Sequence, residues 1–74
     1  MVDKASEPAK VEEPIMKFFK YEHLPVELQV VSRRFSLLAQ DILESLPRCA
    51  ERTVALRKLL ESKDAAVRAS LETP

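Results

Sequence analysis

The sequence predicts an all-α fold: a short N-terminal segment and an antiparallel helical hairpin, assembling as a homo-oligomeric helical bundle. Three observations point there. Apolar residues recur at helical spacing over two long stretches, and the short segment Leu46-Pro-Arg-Cys49 separates them. The chain has 74 residues, enough for one small unit. It carries neither a cysteine pair nor a histidine cluster to staple so small a core.

The elements follow in order. Residues 1–14 are mostly Pro, Glu, Lys and Ala, with no aromatic side chain. Such a segment buries too little apolar surface to offset its ordering entropy, so it reads as a flexible arm that the fold does not need. The hairpin domain then spans residues 15–74. It opens on Ile15-Met-Lys-Phe-Phe-Lys-Tyr21, which holds every aromatic residue except Phe35 and reads as a docking segment.

The first long helix is expected at about residues 25–46. Pro25 suits a first helical position, where its missing N–H is not needed, and Pro47 ends the run. Leu28, Val31, Phe35, Leu38 and Ile42 form one face, widened by Val30 and Leu37, while Gln29, Arg33, Gln40, Asp41 and Glu44 lie mostly elsewhere. The second helix is expected at about residues 49–71. Its face is Thr53, Leu56, Leu60, Val67 and Leu71, interrupted by Lys63 where an apolar residue would continue the pattern. A short loop between such helices makes them antiparallel neighbours. A bare hairpin leaves half its apolar stripe wet, and self-association under a point symmetry is the economical remedy.

Composition removes many function classes. With no glycine, the chain cannot write a phosphate-cradling loop, a dinucleotide fingerprint or a nucleophile elbow. One cysteine and one histidine leave no zinc finger or multi-histidine metal site, so no metal or cofactor is expected. A formal net charge of zero disfavours a DNA-binding role. No apolar run is long enough to span a membrane, and no secretory h-region precedes Pro14. These readings point to a non-enzymatic, cytoplasmic protein.

The polar residues suggest where a ligand would sit. Every Arg lies past Val31: Arg33, Arg34, Arg48, Arg52, Arg57 and Arg68. The planar guanidinium holds phosphate bidentately and stacks on bases. Arg33 and Arg34 open the polar side of the first helix. Arg52 sits in the first turn of the second, where a positive charge opposes the helix dipole. Its partner is then an anionic ligand, an acid such as Glu51 or Glu44, or another subunit. Tyr21 and His23 precede the first helix, where a tyrosine can stack a base and free N–H groups can meet phosphate. Tyr21 as a core staple and His23 as a cap fit the same spacing. Cys49 has no neighbouring pattern to activate it and reads as a small packed residue.

The order of features resembles a known family. An aromatic segment ending in Tyr21, Pro25, Leu38-Ala39, the Leu46-Pro47 turn, Glu51-Arg-Thr-Val-Ala-Leu-Arg-Lys-Leu-Leu-Glu61 and Ala65-Ala66 are similar to the hairpin domain of phage anti-CBASS cyclic-oligonucleotide sponges. That hairpin is shared with anti-Thoeris sponges, and the resemblance covers about residues 18–71. It implies a homo-oligomer, usually a hexamer, in the host cytoplasm. Such a protein binds cyclic dinucleotides or trinucleotides between subunits without cleaving them, in evasion of host immunity. It further implies that Tyr21 stacks a base and that Ser32, Arg33 and Arg34 approach the phosphates. Arg52, Arg57 and Lys58 match through the second helix. The Trp-Ala-Asn stretch of many sponges is replaced by Ser62-Lys-Asp-Ala here. The reading of a different class is a structural or adaptor helical homo-oligomer with no small-molecule ligand.

Overall fold

The computed structural model describes residues 13–72, most of them helical. A 3-10 helix at Pro14–Phe19 leads through a turn to α1 (Val26–Ser45), and a short reversal joins α1 to α2 (Ala50–Ser70). No strand occurs among the described residues. Residues 1–12 of the expected arm, and the last two residues, lie outside the described part.

Each boundary has a local cause. Pro25 takes the N-cap of α1 (φ −55°, ψ 148°) in place of the first helical position, so the helix begins one residue later than expected. Its carbonyl receives the N–H groups of both Leu28 and Gln29, at 2.9 and 3.1 Å. The helix ends as Leu46 turns extended while its N–H still reaches the Ile42 carbonyl at 3.1 Å. Pro47, which has no N–H to give, follows. Extended Cys49 opens α2, with Glu51 in its first turn and Arg68 in its last, the arrangement that the helix dipole favours.

The core is built from all three elements. Ile15 and Phe19 of the 3-10 helix, Ala39 of α1, and Leu56 and Leu60 of α2 are buried, with Met16, Phe35, Ile42, Leu43 and Leu59 packed around them. Phe19 is 1% exposed, so the leading segment is part of the fold rather than an appendage.

The contact faces differ from the expected ones by about one residue. On α1 the fully buried positions are Ser32 and Ala39, whereas Leu38 is 48% exposed and Val31 only half-buried. Helices that approach to about 8–10 Å between axes need small side chains at the nearest points. Ser32 and Ala39 supply them. On α2 the buried position is Arg52 rather than Thr53, which is exposed, and Leu71 at the end of the expected face is exposed as well.

The inner stripe of α2 reads Arg52, Leu56, Leu60, Lys63, with a cation at each end. Arg52 holds Glu13 and Lys63 holds the Phe18 carbonyl, so the 3-10 helix runs along α2 in the same direction. Arg52 and Lys63 are about 16 Å apart along the helix by its rise per residue. Glu13 to Phe18 spans about 10 Å at the 3-10 rise, and the long cationic side chains bridge the difference. Glu13 and Pro14 therefore belong to the folded part, although composition groups them with the arm.

Candidate functional site

The N-terminal half of α1 carries a shallow groove of about 350 Å³ lined by Val26, Gln29, Val30, Arg33 and Arg34. These residues recur every three to four positions and share one side of the helix, the side turned away from Ser32 and Ala39. The floor is aliphatic, with Val26 70% and Val30 57% exposed. Arg33 and Arg34 are exposed, and neither makes an ion pair with another described residue. No side chain caps the start of α1, and Glu27 stands in its first turn, so the two guanidiniums, about two turns further on, supply the positive charge of the groove.

Tyr21 is the first residue of the turn between the 3-10 helix and α1, and it is not among the residues lining the groove. The Leu24 N–H closes the turn on the Tyr21 carbonyl at 3.0 Å. Gln29 ties the turn to α1: its side-chain amide donates to the Leu24 carbonyl at 2.8 Å and to the Glu22 carbonyl at 3.2 Å. Gln29 also lines the groove, so one side chain links the groove to the segment bearing Tyr21 and His23. Tyr21 is half-buried and His23 exposed. His23 caps nothing, since the N-cap of α1 is Pro25 and has no side-chain bond.

The other sequence-derived candidates lie apart from the groove. Ser32 is fully enclosed between the helices, and its Oγ has no hydrogen-bond partner among the described residues. A hydroxyl expected beside phosphates thus sits on the inner face of α1. Arg57 and Lys58 are exposed on α2, where Lys58 makes a loose pair with Glu61 at 3.8 Å.

Arg52 is committed within the chain. One guanidinium nitrogen donates to the Leu43 and Leu46 carbonyls at 3.1 and 3.2 Å, and the other meets the Glu13 carboxylate at 3.0 Å. The carbonyls at the end of α1 have no helical partners, and a cation there also complements the negative end of that helix. This explains a positive charge in the first turn of α2. Within the chain its partners are Glu13 and the α1 terminus, rather than Glu44 or Glu51.

Cys49 is an exposed free thiol rather than a packed one. No group of three or more possible metal-ligating side chains gathers among the described residues, and no described helix is long and apolar enough to cross a membrane.

Two residues whose side chains bond to backbone carbonyls on either side of Tyr21, Gln29 and Lys63, were not singled out from the sequence as functional. Gln29 looked like a solvated flank residue, because its partners are backbone carbonyls that carry no sequence signal. Lys63 did leave a trace, as the one polar residue in an apolar register. No known protein-family model, characterised protein or solved structure matches the chain.

Proposed function

We propose that this protein binds and sequesters a cyclic oligonucleotide second messenger without cleaving it, as a homo-oligomer acting in phage counter-defence. The observation that carries this reading is the groove itself. Two exposed guanidiniums flank an aliphatic floor, and the only tyrosine of the chain stands on a turn tethered to that floor by Gln29. Phosphates suit the arginine forks and the helix N-terminus, while a base suits the tyrosine ring and the valine surface.

Self-association fits the same geometry. A groove of about 350 Å³ is near the lower limit for a small-molecule site, and an open one covers only part of a cyclic dinucleotide. A second copy of the chain closes it. Val26, Val30, Leu37, Leu38, Val54 and Leu71 are each more than 45% exposed, which supplies apolar surface for that contact. The same surface supports the second reading, a ligand-free structural oligomer.

Titration with a panel of cyclic dinucleotides and trinucleotides separates the two. The chain has one tyrosine and no tryptophan, so its intrinsic emission reports on Tyr21 alone. Binding by one or more panel members, with Tyr21 emission changed and the ligand recovered intact after heat release, supports sequestration. Recovery of linear products contradicts it, and no binding by any member leaves the ligand-free oligomer.

A further inference from the structure

We propose that Lys63 and Gln29 are positioning residues that hold Tyr21 ready for its ligand, acting through the backbone on either side of it. The proposal rests on the cyclic-oligonucleotide reading and adds the residues that set the geometry of its aromatic platform.

The connection between Phe19 and Val26 carries no regular structure and would sample many conformations if left alone. It is instead fixed from two directions. On the side preceding Tyr21, the Lys63 ammonium donates to the Phe18 carbonyl at 2.8 Å. This bond joins residues 45 positions apart. On the side following Tyr21, the Gln29 amide donates to the carbonyls of Glu22 and Leu24. One tether comes from α2 and the other from α1, and Tyr21 lies between them.

Lys63 is well placed for this role. Its side chain is 12% exposed, which is low for a lysine, and its stem lies in the apolar register of α2. Asp64 stands 3.7 Å from the ammonium, a distance that leaves the carbonyl as the shorter contact. Packing alone would be served by leucine or methionine at this position. The ammonium adds a directed bond to a carbonyl at the end of the 3-10 helix, where helical partners run out.

Fixing the turn in advance lowers the ordering cost at binding. A turn that is competent only one-tenth of the time binds about ten-fold more weakly, with the loss in the association rate. Loss of a direct ligand contact acts mainly on the dissociation rate. Kinetics therefore distinguish positioning from contact, which matters for Gln29 because it also lines the groove.

The experiment compares wild type with Lys63→Met, Lys63→Arg and Gln29→Met, the last removing the amide donor without adding charge to the groove. Stopped-flow measurement uses whichever cyclic dinucleotide or trinucleotide of the panel binds wild type. Acrylamide quenching of Tyr21 emission is measured in the free proteins, with helix content and oligomer size checked by circular dichroism and sedimentation. Expected are association rates lowered about ten-fold in Lys63→Met and Gln29→Met, with dissociation rates unchanged. Tyr21 should become more quenchable in both, and Lys63→Arg, which keeps a donor, should recover part of the loss. Unchanged association rates and quenching would overturn the proposal, as would a faster dissociation rate alone. Should Lys63→Met fail to fold, Gln29→Met and Lys63→Arg still decide it. If wild type binds no panel member, the cyclic-oligonucleotide reading falls, while the quenching comparison still judges the tethering of Tyr21.

Discussion

Arg52 and Glu13 meet at 3.0 Å across 39 positions of the chain, with side chains only 9% and 12% exposed. The pair closes the end of the molecule where α1 stops and α2 begins. It also ties Glu13, one residue before the Pro14–Phe19 helix, to α2. An ion pair this enclosed is sensitive to loss of one partner, because the charge left behind has neither water nor a counter-charge.

Glu13→Gln is expected to lower stability by about 1–3 kcal/mol, since a neutral amide replaces a charge-assisted bond. Arg52→Met should cost more, about 3–5 kcal/mol, because it also uncaps the Leu43 and Leu46 carbonyls. In a domain this small, each kcal/mol moves Tm by about 4–8 °C. Thermal melting followed by circular dichroism reads both changes. Deleting residues 1–14 removes Glu13 and Pro14, so a lower Tm is expected in place of the neutral outcome that composition suggests. An unchanged Tm in all three proteins would show that the pair contributes nothing.

The register of α1 is tested by two neighbouring residues of opposite burial. Ala39 is fully buried and Leu38 about half-exposed. Ala39→Leu should overpack the helix contact and cost about 1–3 kcal/mol. Leu38→Ala should stay within about 1 kcal/mol in urea unfolding of the dilute chain. The reverse order would restore the face drawn from hydrophobic spacing alone.

Ser32→Ala removes a buried hydroxyl that has no partner. Relief of that unsatisfied group offsets the lost packing, so stability should hold or rise by up to about 1 kcal/mol. Ligand binding should not change, because Ser32 faces the other helix. Weaker binding with intact folding would return Ser32 to the site.

Leu60→Ala, in the centre of the core stripe of α2, should cost about 2–5 kcal/mol. Sedimentation of the same variant should show a smaller assembly, since a loosened hairpin presents a poorly defined surface to other copies. A variant that melts and sediments as wild type would mean that the core lies elsewhere.

Much of this architecture is written in local patterns. Pro25 and Pro47 mark the ends of α1, and the period of the apolar residues gives two helices with a short reversal. What the pattern misses is non-local. Hydrophobic spacing favours Leu38 over Ala39 because it ranks side chains by apolar area, whereas a close helix contact selects small ones. Arg52 reads as a cation in need of a partner without showing which, because two carbonyls of α1 and Glu13 are brought near only by the fold. Lys63 shows in the sequence as an irregularity but not as a tether, since the Phe18 carbonyl has no side-chain signature. Arg33 and Arg34 were legible for the converse reason: they stand off the apolar stripe and remain exposed.

The measurement that bears most directly on the central claim is calorimetric titration of one binding panel member into wild type, Tyr21→Ala and Arg33→Ala/Arg34→Ala. Sedimentation of each protein runs alongside. Stacking on an aromatic ring is worth about 1–3 kcal/mol per base, and a charge-assisted bond to phosphate about 1.5–3 kcal/mol. Tyr21→Ala should therefore bind about five-fold or more weakly, and the arginine variant about ten-fold or more, each keeping its assembly. Arg→Lys at either position should recover only part of the loss, because lysine keeps the charge without the fork. Both variants assembled and binding as wild type does would contradict a ligand site at this groove.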